Sequence, residues 1–387
     1  MNLPFGKKIE LNILLLLAFS LPIFSAIRIA GFSVSRLLVI IYIVVCLISF
    51  SISKNVKTID FSLLVSCFIY IGWMMISLLW TPNSDVIQGI ATTSVQQGII
   101  RIFFSLCCVM LFCFVASSSM TNDECHKIEN ALLFGGIISA IMLFIIGGDY
   151  YGEQGEARYS ITEGADPNYY AMNLLVPLAI SLKNIEGKKI TKWLPTFLLF
   201  AAIIATGSRG ALIAVAVIMF MKLIHERKYL LLIASIIIIF LLLTSLAVIY
   251  PRFALESAMN GSGRADIWTV ILSMIEDNLF TGVGVSGIRG VYDMYAIQSG
   301  VGQAVGNQRD AHNAYLEIFA ELGLVGITSY LYIIYRSFKI HYKQYKKFVH
   351  LSIGVIGCLV CVAAISSILE ETIWFCLALL AIRRDNR

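Results

Sequence analysis

Charged side chains are scarce in this chain. Asp, Glu, Lys and Arg make up 14% of its 387 residues, against roughly 25% in a soluble globular protein. Hydrophobic residues make up 58%, more apolar surface than a water-facing domain can bury. The deficit excludes a soluble enzyme, a disordered chain, a secreted disulfide scaffold and a nucleic-acid binder. Extramembrane cysteine is lacking as well. Of the nine cysteines only Cys125 lies outside an apolar run, and a thiol in such a run packs as a small hydrophobe. Cys358 and Cys361 have C-x-x-C spacing, but inside a hydrophobic segment without a βαβ pattern, which argues against redox or metal chemistry there. No fixed-period repeat and no low-complexity tract is present. What remains is a polytopic membrane protein.

Runs long enough to cross a bilayer, about 20 residues each, lie near 11–27, 34–52, 61–80, 98–117, 130–148, 193–206, 210–224, 229–250, 314–335 and 349–369. Two weaker runs, 169–182 and 372–382, are short and need tilt or shielding by neighbours. Counting both predicts an all-α polytopic bundle of about twelve transmembrane helices, since an open backbone is not satisfied in lipid. The first run has the basic flank of a signal peptide, but the spans behind it make it an uncleaved anchor. Lys and Arg concentrate on the cytoplasmic side. With Lys7 and Lys8 inside, the Lys-rich segments 183–192, 222–228 and 336–347 fall inside too, and both termini are cytoplasmic. Omitting either weak span inverts the segments beyond it. The chain, 1–387, is then a single integral membrane domain, with 251–312 as one large outer loop.

The outer face so defined lacks lysine. Its cations are Arg28, Arg36, Arg101, Arg158, Arg209, Arg252, Arg264, Arg289 and Arg309. Arginine presents a planar fork that matches phosphate oxygens two at a time, whereas lysine is a hydrated point charge. An outward pocket for a phosphate or pyrophosphate is one reading. For Arg28, Arg36, Arg101 and Arg252, near span ends, interfacial anchoring is the plainer one. Arg209 stands apart, in Thr206-Gly207-Ser208-Arg209-Gly210, a break of a few residues between two apolar runs. A charge held there faces a cavity or a partner, and the glycines allow a tight turn that exposes backbone N–H groups. Arg264 lies in Gly263-Arg264-Ala265-Asp266. After it Ile267, Trp268, Ile271, Leu272, Ile275 and Leu279 share a helical face, so 264–279 is expected as an amphipathic helix on the outer surface. Its Gly-rich N-terminus with an arginine in the first turn favours an anion; a capped surface helix with a snorkelling arginine fits the same residues.

Outer histidine is nearly absent. His312, in Asp310-Ala311-His312-Asn313-Ala314-Tyr315-Leu316-Glu317, is the one histidine expected outside. Imidazole is the natural general base near neutral pH, and Asp310 or Glu317 could orient its ring. With one His and no outer-loop Cys, the face offers no ligand cluster, so neither metal nor cofactor is expected. The acidic, tyrosine-rich segment 149–168 reads as a solvated loop or a sugar-recognition surface. Within it Asp166-Pro167-Asn168 most simply caps the next span.

Together these segments resemble the O-antigen ligase and polymerase superfamily of membrane glycosyltransferases. Asp166-Pro167-Asn168, Thr206 through Gly210, Gly263-Arg264 through Trp268, and His312-Asn313 running to Glu321-Leu322-Gly323-Leu324-Val325-Gly326 follow the family's order. The likeness is strongest over 160–335. It implies a bacterial inner-membrane enzyme, active on the periplasmic face, that takes a glycan from undecaprenyl pyrophosphate and moves it to a sugar hydroxyl. The family's two functional arginines correspond to Arg209 and Arg264, expected to hold the pyrophosphate, and its histidine to His312, expected to be the base. Arg289, Arg309, Asp310, Glu317, Asp166 and Asn168 are secondary candidates. A single displacement from the far side of the anomeric carbon inverts its configuration.

Two reactions share that donor. A polymerase extends a lipid-linked glycan and works beside a chain-length regulator, and a ligase passes the finished chain to lipid A–core; breadth of pathways favours the polymerase. A transporter of lipid-linked sugars is the alternative from another class. Transporters carry charge at the bilayer midplane in two related halves, whereas charge here gathers at one face.

Overall fold

The computed structural model describes residues 5–24, 28–29, 32–53, 58–86, 92–151, 157–161, 166–185, 192–231, 264–301, 308–366 and 370–384. The fold is mostly helical. In chain order the helices are α1 (Phe5–Phe24), α2 (Val34–Ser53), α3 (Phe61–Ser77), α4 (Ser94–Ala116), α5 (Asn122–Ile146), α6 (Pro167–Ser181), α7 (Leu194–Ala205) and α8 (Arg209–His225). Then come α9 (Arg264–Asp277), α10 (Ile288–Gln298), α11 (Ala314–Tyr345), α12 (His350–Cys361) and α13 (Glu371–Ala381). Each expected span coincides with a helix except 229–250, which beyond residue 231 lies outside the described residues. Helical stretches within α2, α4, α5 and α11 are long and apolar enough to cross a membrane, and α3, α7, α12 and α13 are shorter apolar helices.

Polar residues in the connections set where these helices start. Asp60 caps α3 by accepting from the Leu63 N–H at 3.3 Å. Thr93 with Gln96 opens α4, and Thr121 with Glu124 opens α5, each as a reciprocal capping box. Such caps satisfy backbone donors that lipid leaves bare. Outward-facing Phe61, Phe68, Leu194 and Ile145 are exposed, as suits lipid contact.

Contacts sort the helix ends into two sets. In one, Lys7 pairs with Glu124 (3.6 Å), Arg336 with Asp60 (2.6 Å) and Lys183 with Glu129 (3.5 Å). There Ser119–Met120 also pairs in parallel with Arg383–Arg384, and the Gln344 amide donates to the Ile382 carbonyl at 2.7 Å. In the other, the Thr81 hydroxyl donates to the Val285 carbonyl at 3.1 Å and the Gln308 amide to the Asp85 carbonyl at 2.9 Å. That second set carries Arg158, Arg209, Arg264 and His312.

Four particulars differ from expectation. The segment 149–168 contains an antiparallel hairpin, Gly148–Tyr151 against Ala157–Ser160. Helix α11 runs past 335 to Tyr345, stopping at Lys346, whose φ is +56°. Arg36 and Arg101 are not interfacial anchors. Arg36 bonds Glu371 at 2.5 Å with its guanidinium over the Phe104 ring, and Arg101 bonds Glu317 and Glu321 at 2.5 and 2.9 Å. Partners this distant in sequence turn would-be snorkelling groups into ties between helices. Finally, α9 buries Ile267, Val270, Ile271, Met274 and Ile275 but exposes Leu272, as Leu279 just past its end is exposed. Its buried stripe packs on Tyr292, Tyr295, Ala311 and Ala320, so α9 rests on its own protein along a face shifted from the predicted one.

Helix α11 is broken at Gly323, where φ is +61° and ψ −160°. Segment 279–284 fills the break. Val283 and Gly284 N–H groups donate to Ala320 and Glu321 carbonyls at 2.8 and 2.9 Å, and Leu324 N–H donates to Leu279 at 2.8 Å. The indoles of Trp73 and Trp80 donate to Leu322 and Gly282 carbonyls at 2.7 and 3.1 Å. Backbone groups freed by the break are thus paired again inside protein, the condition for irregular chain at membrane depth. The half-helix 314–322 begins after its cap, Asn313, the residue that follows His312.

Candidate active site

Four stretches distant in sequence converge at the end of the bundle that carries His312. The first is the start of α6. Asp166 is its cap and accepts from the Asn168 N–H at 2.7 Å and from the Asn168 amide at 2.9 Å. The second is the turn into α8. Gly207 takes φ +63°, and Ser208 caps the helix by accepting from Ala211, which leaves Arg209 as the first helical residue, partly buried. The Gly210 position lies close against Ala364 and Cys361, since a Cβ there would meet the Ala364 Cβ at 2.8 Å. The third is α9, with Arg264 as its first residue. One turn on, the Trp268 indole donates to the Ala311 carbonyl at 3.0 Å, which holds α9 against the loop before His312.

The fourth is that loop itself. Asn313 caps α11, accepting from Tyr315 and Leu316 at 3.0 and 3.2 Å. His312 sits at φ +47°, and its N–H donates to the Ser366 hydroxyl at 2.8 Å. Backbone in this left-handed region is costly outside glycine and is held by surrounding bonds. Burial lowers the pKa of the His312 imidazole below the ordinary histidine value. The Asp310 carboxylate opposes that shift, the Arg264 cation adds to it, and Asp166 and Glu317 oppose it more weakly. The ring therefore feels Arg264 and Asp166, residues 48 and 146 positions away in sequence, and favours the neutral form able to accept a proton.

The secondary candidates divide. Asp310 is held by both ends of the Arg289 guanidinium, with Nε to Oδ1 at 2.7 Å and Nη2 to Oδ2. Glu317 is held by Arg101. Neither makes a side-chain hydrogen bond to the His312 ring among the described residues, so both act on it through charge and not as ring orienters. Arg309 carries its charge near the Tyr292 hydroxyl on α10. Among the described residues, no group of three or more His, Cys, Asp or Glu is arranged to hold a metal ion.

Sequence reasoning passed over three contributors. Arg158, on the hairpin, is buried; its Nε donates to the Thr206 carbonyl and its Nη2 to the Asn168 side-chain oxygen, both at 2.9 Å. The Tyr169 hydroxyl donates to the Ser366 carbonyl, and Ser366 in turn receives His312. The sequence signal for Arg158 was its place among the nine outer arginines, away from the span ends. Tyr169 and Ser366 carry no comparable signal.

Residues 194–331 match the O-antigen ligase family. No curated protein matches the chain. The matched segment includes Arg209, Arg264 and His312 and leaves out Asp166 and Asn168. Over that segment the chain is similar to the O-antigen ligase family.

Proposed function

We propose that this protein is a polysaccharide polymerase of the inner membrane, acting on the periplasmic face on glycans linked to undecaprenyl pyrophosphate. The observation that carries the reading is the set of ties around His312: its ring feels the Arg264 charge, and bonds through Ser366, Tyr169, Asn168 and Arg158 link it to the turn before Arg209 at the start of α8. Two helices that begin with arginine form a setting for a pyrophosphate, because guanidinium forks and helix N-termini both favour anions. The side is inferred from charge: lysine lies at the opposite ends of the helices, where the positive-inside rule puts the cytoplasm.

In the reaction, the acceptor hydroxyl oxygen attacks the anomeric carbon of the donor sugar. The bond from that carbon to the pyrophosphate oxygen breaks, its electron pair leaves with the pyrophosphate, and His312 takes the hydroxyl proton. The low imidazole pKa keeps the base unprotonated, and the arginines stabilise charge that grows on the leaving group. Pyrophosphate leaves readily with this help, so the chemistry asks for no metal. A one-step displacement inverts the anomeric centre; a linkage that keeps the donor configuration would contradict it.

Polymerase and ligase share the donor half of this site and differ in acceptor. The test is a reconstituted assay with undecaprenyl-pyrophosphate-linked repeat units as sole substrate and products resolved by mass. A ladder of lengthened lipid-linked glycans supports the polymerase. A folded protein that makes no ladder, yet transfers glycan when lipid A–core is added, is the ligase. Transport without any new glycosidic bond would reject both.

A further inference from the structure

The two halves of the proposed site, the cation Arg209 and the base His312, belong to helices far apart in sequence, yet one short stretch touches the supports of both. That stretch is the first turn of α6, residues 166–169. Asn168 receives the Arg158 guanidinium, whose other arm holds the Thr206 carbonyl at the turn into α8. Tyr169, the next residue, donates to the Ser366 carbonyl, while the Ser366 hydroxyl receives the His312 N–H. We infer that Arg158 is a positioning residue for donor binding: it fixes the Thr206–Gly207 turn to the start of α6, and thereby sets where Arg209 points.

The geometry favours this role over a generic packing one. Arg158 is 4% exposed, and its stem and Nε line the Gly207 backbone, where an added Cβ would meet Nε at 3.4 Å and Cγ at 3.5 Å. Gly207 holds φ +63°, so the chain reverses at that contact, two residues before Arg209. The rigid guanidinium reaches two acceptors on different elements at fixed spacing, which a single-point ammonium cannot do. Asn168 is itself locked by two bonds to Asp166. The acceptor end of the Arg158 bridge is therefore as fixed as the helix it caps. Arg158 acts on donor affinity through Arg209, not by touching the reacting atoms.

The inference rests on the reading of Arg209 as a pyrophosphate ligand, and a double-mutant cycle separates the two. The probe is undecaprenyl pyrophosphate itself, its dissociation constant measured on the full-length protein in nanodiscs. The variants are Arg158→Lys, Arg209→Ala and the pair, with melting temperatures recorded alongside. Loss of a charge-assisted contact predicts that Arg209→Ala weakens binding by about tenfold or more. Arg158→Lys is expected to weaken binding several-fold in the wild-type background, on the order of threefold to tenfold, and to have no further effect once Arg209 is alanine. An equal loss in both backgrounds, or no loss in the wild-type one, overturns the positioning role. Wild-type affinity in Arg209→Ala overturns the reading of Arg209 instead. Should Arg158→Lys fail to fold, Asn168→Ala removes the same bridge from its other end, and the same cycle with Arg209→Ala decides.

Discussion

Replacing Gly323 by alanine tests whether the break in α11 is a built joint. Gly323 holds φ +61° and ψ −160°, a region open in practice to glycine alone, and forcing a side chain into it costs about 1–3 kcal/mol. The added Cβ would also sit 2.3 Å from the Phe280 carbonyl oxygen and 2.6 Å from the Thr281 nitrogen. Those contacts are backbone, so relief means pushing segment 279–284 out of the break. Its three backbone hydrogen bonds to Ala320, Glu321 and Leu324 then weaken, at about 1 kcal/mol each. The expected cost is about 4–6 kcal/mol. In a detergent-solubilised thermal melt this corresponds to a fall on the order of 5–10 °C. Gly300→Ala is the control, because Gly300 also has positive φ (+75°) but nothing within 4 Å of the added atom. It should cost only about 1 kcal/mol. Equal melting temperatures for the two variants would refute the account of the joint.

Three further expectations follow from the charges around it. Arg101→Met strands the buried carboxylates of Glu317 and Glu321 and should cost about 3–5 kcal/mol in a melt; adding Glu317→Gln and Glu321→Gln should recover much of that loss. For His312, the lowered pKa means the acid limb of the kcat profile lies below the ordinary histidine value near 6.5. Arg264→Ala removes a lowering charge and should move that limb to higher pH, whereas Asp310→Asn removes the largest opposing charge and should move it lower. A pH profile between about 5 and 8 reads both, and opposite movements would contradict the assignment. In a background free of native cysteines, His312→Cys should react with a membrane-impermeant maleimide from the periplasmic side only.

Much of the architecture was legible because lipid imposes simple rules. Apolar length marked the helices, and Asp166-Pro167-Asn168 signalled the cap of α6. Arg209, Arg264 and His312 stood out as polar residues at the borders of apolar runs. The ties among them were not legible. Arg36 with Glu371 and Arg101 with Glu317 join residues more than two hundred positions apart, and in a single sequence an arginine at a span end looks the same whether it snorkels or pairs. Gly323 stood out only as part of the landmark 321–326 and not as a helix break, since its conformation depends on segment 279–284 arriving from elsewhere. The buried face of α9 was predicted one step out of phase. Periodicity alone could not distinguish a helix resting on lipid from one resting on Tyr292 and Tyr295.

The central claim is that this outer face breaks the bond between a glycan and undecaprenyl pyrophosphate, with His312 taking the acceptor proton. The most direct measurement follows purified protein in proteoliposomes supplied with the lipid-linked glycan, quantifying freed undecaprenyl pyrophosphate and new glycosidic linkages together. One lipid pyrophosphate released per linkage formed, with both lost in a folded His312→Ala variant, is the predicted result. Linkages formed without that release, or at an undiminished rate in the variant, would contradict it.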